Sequence, residues 1–92
     1  MLIIVDIMLI ITYIMNIKLN IRGGIMLHNR VKELRARFGF SQGELGERVG
    51  VTRQTIGFIE KGDFSPSVTL ALKLAREFEI KVDELFWLER EK

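Results

Sequence analysis

The stretch Q-G-E-L-G-E-R-V-G-V-T-R-Q-T-I-G-F-I-E-K, Gln42 to Lys61, has the spacing of two short helices that cross at a tight turn. Leu45 and Val49 lie four apart and share one helical face, while Ile56 and Ile59 lie three apart and share a face of a second helix. Gly50 separates them, where the chain must leave the first helix through a left-handed backbone that glycine adopts without a Cβ penalty. Val51 then turns inward beside Leu45. Gly46 falls where two helices meeting steeply leave no room for a larger side chain. Seven positions (Leu45, Gly46, Val49, Gly50, Val51, Ile56, Ile59) satisfy a helix-turn-helix template together.

Such a pair also serves as a plain packing unit, so the outward face of the second helix has to decide its use. Thr52, Arg53, Gln54 and Thr55 stand at or beside its N-terminus, with Phe58 and Lys61 on later turns. Arg matches guanine O6 and N7, Gln matches adenine N6 and N7, and a threonine methyl or a phenyl ring can touch the thymine methyl. A solvated surface helix more often carries Glu and Lys four apart, and no such pair occurs between Arg53 and Phe58.

Residues 26–92 resemble the Cro and phage-repressor family of helix-turn-helix transcription regulators. The likeness rests on N-R-V-K-E-L-R-A-R-F-G-F-S-Q-G-E-L at 29–45, V-T-R-Q-T-I-G-F-I-E-K-G at 51–62 and P-S-V-T-L-A-L-K-L-A at 66–75. The resemblance implies an all-α, five-helix, lambda-repressor-like DNA-binding domain whose helix from Thr52 enters the major groove while the preceding helix crosses the phosphates. By carry-over Arg53, Gln54 and Phe58 fall on base-reading positions, and Gln42, Thr52, Thr55 and Lys61 on phosphate-contacting ones. Arg35 and Glu60 fall on a pair that ties the first helix to the third. Two positions depart from the family's pattern: Gly46 stands for the usual alanine, and Gly57 stands where a longer reading side chain is common. Each mid-helix glycine costs about 1 kcal/mol relative to alanine, and Gly43 adds a third.

Ninety-two residues with 48% apolar content bound the chain to one small domain. Without cysteine, neither disulfides nor a thiolate zinc site can support it, and a reducing, cytoplasmic setting is expected. The single histidine, His28, reads as a first-turn surface residue and excludes a histidine metal cluster. No nucleophile with its base is evident, so no enzyme, cofactor or small-molecule ligand is expected. The net charge is only +2, but it is uneven. From Met26 to Lys61 seven Lys or Arg face four acids, a net of +3; from Gly62 onward five face seven, a net of −2. Such a dipolar domain approaches a polyanion with its helix-turn-helix end first.

Along the chain, Leu27, Val31, Leu34 and Phe38 recur at helical spacing and stop at Gly39, which predicts a first helix. Ser41 with Glu44 forms a capping box for the second, and Thr52 caps the third less fully. Pro66 suits a first helical position of the fourth, whose inner face is Leu70, Ala71, Leu74, Ala75 and Phe78. A short last helix after Ile80 is expected to bury Val82, Leu85 and Phe86. The aromatic close Phe86-Trp87-Leu88 cannot face inward entirely. An exposed aromatic near a chain end suits a protein contact, so Phe86 and Trp87 are candidates for a homodimer interface on a palindromic operator. A second reading is an interaction module, an antitoxin or adaptor, that docks a protein on Phe86, Trp87 or the N-terminal arm.

Residues 1–25 form an apolar N-terminal arm of different composition, with nine isoleucines against three in the remainder. Asp6 and Lys18 bracket eleven uncharged positions, too few to cross a membrane, for which about 20 are needed. Neither a basic leader nor a small-residue cleavage site is present. The alternation I-K-L-N-I-R from Ile17 to Arg22 favours a strand with one dry face. Three readings stay open: an arm created by start-site choice ahead of Met26, a strand that pairs with its copy in a dimer, and a segment in a membrane interface.

Overall fold

The computed structural model describes residues 24–90 of the chain. In order they form β1 (Ile25–Asn29), α1 (Val31–Phe38), α2 (Gln42–Val49), α3 (Arg53–Lys61), α4 (Val68–Glu77), α5 (Val82–Leu85) and β2 (Phe86–Arg90). The chain divides into two compact units, and the five helices belong to the one spanning Leu27–Trp87. The five-helix domain expected from the sequence is present, with a two-stranded β1–β2 sheet added to it. Residues 1–23 of the arm, including its alternating stretch at 17–22, lie outside the described residues, and its last residue, Ile25, opens β1.

Local chemistry sets the boundaries of the two crossing helices. At the start of α2 the Ser41 hydroxyl accepts the Glu44 backbone N–H (3.0 Å) and the Glu44 carboxylate accepts the Ser41 N–H (2.9 Å), so two orphan donors are satisfied. The helix stops at Gly50, whose φ of 81° is a conformation that β-branched Val49 or Val51 could hold only with strain. Thr52 then opens α3, its hydroxyl accepting the Thr55 N–H at 3.1 Å with no reciprocal carboxylate. Gly62 ends α3 as Gly50 ends α2.

One apolar core takes residues from every helix: Val31 and Leu34, Leu45 and Val49, Ile56 and Ile59, Leu70, Leu74 and Ala75, then Phe78, Leu85 and Phe86. Each large aliphatic side chain among them contributes about 1.5–3 kcal/mol by leaving water. The closest approach is between α2 and the turn that follows it. A Cβ built on Gly46 would lie 2.6 Å from the Val51 carbonyl oxygen and 3.2 Å from the Thr52 carbonyl carbon. No real Cβ sits that near a backbone atom, so the crossing exists in this form only with glycine at 46.

Several boundaries differ from the sequence expectation. Leu27 lies on β1, not on α1, which starts at Val31 because Asn29 ends the strand: its side-chain oxygen accepts the Val31 N–H (3.0 Å) and its amide donates to the Ile59 carbonyl (2.9 Å). His28 is therefore a strand residue, its ring stacked on Trp87 at 6.0 Å between centroids, rather than a first-turn surface residue. Phe38 is half-exposed at the end of α1 and meets Phe78 edge-on at 5.5 Å. Pro66 precedes the helix start by two residues, because Ser67 caps α4 through the Leu70 N–H (3.1 Å). The last helix closes at Leu85, and Phe86, although buried, already belongs to β2.

Gly46→Ala should lower stability by about 1–3 kcal/mol, the range for overpacking, although alanine is the better helix former; urea denaturation measures it. Glu44 gives a second expectation. Its carboxyl sits below the ordinary value of 4.5, first because the Ser41 backbone N–H bonds the charged form and then through the Ser41 hydroxyl. A lowered folded value adds stability above the unfolded value and loses it as pH falls through the folded one. Glu44→Gln should thus melt at a lower temperature than the wild type at neutral pH, with the gap closing in melts taken down to about pH 3.

Candidate nucleic-acid interface

The two faces of α3 are chemically opposite. Ile56 and Ile59 are buried, while Arg53, Gln54 and Phe58 are exposed and Thr55 is half-covered. Phe58 is 48% exposed and lies outside the core cluster, so its ring is presented to whatever meets this face. Thr52 and Thr55 share a hydroxyl–hydroxyl hydrogen bond of 3.0 Å, which sets the direction of both side chains at the N-terminal end.

Behind this face a polar network fixes α3 to α1 and α2. The Arg35 guanidinium donates to both oxygens of Glu60 (2.7 and 3.4 Å) and to the Phe40 carbonyl (3.0 Å). The Gln42 amide donates to the same carboxylate at 3.0 Å. The Arg35 side chain is 18% exposed and that of Glu60 5%, so the pair is screened far less than a surface one. Arg30, Arg37 and Glu33 form the contrasting case: through their 2.9 Å hydrogen bond Glu33 raises the pKa of Arg30 and Arg30 lowers that of Glu33, yet these side chains are open to solvent and contribute little.

Pairing also decides where positive charge remains. Of the cations between Met26 and Lys61, Arg30 and Arg37 meet Glu33, Arg35 meets Glu60, and Arg48 meets Glu77 at 3.2 Å while its guanidinium lies 4.2 Å from the Phe40 ring centre. Among the described residues, Lys32, Arg53 and Lys61 are the cations of this segment with no acidic partner. Two of the three stand at opposite ends of α3.

Of the residues singled out in the sequence, Arg53, Gln54, Thr55, Phe58 and Lys61 share α3, and Thr52 caps it. Gln42 comes to them from α2, but with its amide turned onto Glu60 and over Gly57. Phe86 does not belong on any exposed list: it is 9% exposed and packed in the core, because Leu85 and Phe86 together close the helical unit. Trp87 is 37% exposed and stacked on His28. Asn29 and Phe40 carry no local signal for the contacts they make with Ile59 and with the Phe78 ring, 30 and 38 residues away. Among the described residues no cluster of His, Asp and Glu could hold a metal ion, and no helix is long and apolar enough to cross a membrane.

This fold and the outward chemistry of α3 are those of a helix-turn-helix protein. The helix-turn-helix family model matches residues 31–85, and the chain belongs to that family, in its Cro and phage-repressor branch. It is 62% identical over 65 residues to YgzD of Bacillus subtilis, an uncharacterised HTH-type transcriptional regulator, a match covering 71% of this chain and 98% of that one. An uncharacterised HTH-type transcriptional regulator of Archaeoglobus fulgidus is 48% identical over 65 residues, covering 71% and 92%. Among solved structures, the restriction-modification controller protein C.AhdI of Aeromonas hydrophila superposes with a TM-score of 0.56 at 36% identity, over 60% of this chain and 83% of that one. The P22 c2 repressor, solved in complex with a synthetic operator, gives 0.57 at 26% identity over 59% and 82%.

Breaking the Arg35–Glu60 pair leaves one shielded charge uncompensated, so Arg35→Ala should cost about 3 kcal/mol. Arg37→Ala, at the surface, should change stability by less than about 0.5 kcal/mol; chemical denaturation of both variants checks the contrast.

Proposed function

We propose that this protein is a sequence-specific DNA-binding transcription regulator that acts in the cytoplasm as a dimeric repressor, with α3 in the major groove of a palindromic operator. The observation that carries this reading is the outward face of α3, where Arg53, Gln54 and Phe58 are exposed and the cations Arg53 and Lys61 have no acidic partner among the described residues. These groups cover the main modes of direct readout: a bidentate match to guanine, one to adenine, and apolar contact with the thymine methyl. Thr52, Thr55 and Lys61 flank them as phosphate contacts that set register without reading sequence. Regulation follows from occupancy: a protein seated on an operator blocks polymerase without chemistry.

Residues 26–92 form the DNA-binding part in this reading, with the arm at 1–25 as an addition. The match to the Bacillus relative spans 65 residues, 98% of that protein and 71% of this chain, a length that supports a unit of this size. One helix in one groove makes few contacts, and two-fold pairing lets two copies reach half-sites about 34 Å apart. Phe86 lies in the core, and Trp87, 37% exposed and stacked on His28, is the candidate for a contact between copies. Specific affinity should lie in the nanomolar range or tighter at moderate salt, typically 10⁻⁸–10⁻¹¹ M, and fall steeply as salt releases counterions.

Selection of bound duplexes from a random pool tests the proposal, and a palindromic consensus is the expected outcome. A pool that yields no consensus rejects sequence-specific reading. On the selected site Arg53→Ala should cost about 1–3 kcal/mol and relax preference at one position, whereas Lys61→Ala should weaken all duplexes alike and lower the salt slope by about 1.

A further inference from the structure

We infer that Gln42, the first residue of α2, is a specificity-determining residue that reads a base edge from the place left open by Gly57 on the recognition helix. The inference rests on the DNA-reading function proposed above. It assigns Gln42 a role other than the phosphate contact that family resemblance implies.

Gly57 follows Arg53 by four residues and so continues the same stripe of α3. A Cβ built at 57 would meet only the Gln42 carboxamide, at 3.5 Å from Nε2 and 4.0 Å from Cδ and Oε1. The Gln42 side chain thus lies along α3, in the space a side chain of residue 57 would take. These are ordinary contact distances, so glycine at 57 is not demanded by the backbone; a longer side chain there would compete with Gln42 for the same place.

The orientation of the amide is determined as well. A carboxylate accepts hydrogen bonds and cannot donate them, so the group that faces Glu60 at 3.0 Å must be Nε2 and not Oε1. Glu60 is itself held by Arg35, which ties the amide to a rigid network. One N–H and the carbonyl oxygen of Gln42 remain available. A carboxamide that offers one donor and one acceptor is the group that matches adenine N7 and N6. Because the bond to Glu60 already holds the side chain along α3, less conformational entropy is lost on reading.

The test is duplex selection with wild type, Gln42→Ala and Gly57→Gln, each first shown to be folded by circular dichroism, together with salt titrations. Gln42→Ala should lose preference at one base position of each half-site, roughly tenfold, with the salt slope unchanged. Gly57→Gln, which displaces the Gln42 amide, should change preference at that same position. If Gln42→Ala instead weakens all duplexes equally and lowers the salt slope by about one, Gln42 contacts phosphate and the inference is overturned. It is also overturned if the two variants alter different positions. Should Gln42→Ala not fold, Gly57→Gln alone decides: an unchanged consensus rejects the inference and a change confined to one position supports it. A wild-type pool without consensus rejects the function itself, an outcome distinct from the others.

Discussion

The contact between α2 and the turn after it governs the geometry of this domain. With hydrogen alone at position 46, the α2 backbone comes close enough to the Val51 carbonyl that an added methyl carbon would sit 2.6 Å away. That closeness sets how α3 leaves the turn, and with it which residues of α3 face Leu45 and Val49 and which face outward. The family's usual alanine does not fit this crossing as it stands. The chain therefore gives up helix propensity at Gly46, on the order of 1 kcal/mol, in return for a tighter approach.

A helix of nine residues such as α3 has little stability of its own. What keeps α3 in place is burial of Ile56 and Ile59 on one side and the Glu60 carboxylate on another, where Arg35 from α1 and Gln42 from α2 converge. The same arrangement sorts the charges. Glu33, Glu60 and Glu77 neutralise Arg30, Arg35, Arg37 and Arg48, so the positive potential that remains near α3 comes from Arg53 and Lys61. A net charge of +2 over the whole chain gives a poor account of this, since the useful charge is local.

The β1–β2 pairing shows where local pattern misled. Leu27 stands four residues before Val31, the spacing of one helical face, yet the Arg30 N–H bonds the Leu85 carbonyl at 3.0 Å and Asn29 bridges to Ile59. These partners lie 55 and 30 residues away, and a periodicity count over neighbouring residues cannot see them. Phe86 carries two expectations, burial under the last helix and contact with another protein, and its place in the core meets the first.

What the amino-acid order settled by itself was everything with a short range. The capping box at Ser41, the stops at Gly39, Gly50 and Gly62, and the apolar faces of α2, α3 and α4 all depend on spacings of four residues or fewer, where backbone geometry leaves few choices. Tertiary structure alone decided which cations are left without an acidic partner among the described residues, that Trp87 is half-covered and stacked on His28, and that the Gln42 amide lies over Gly57. Each of those outcomes depends on groups brought together from different helices, and distances of that kind are set by the packing of the core.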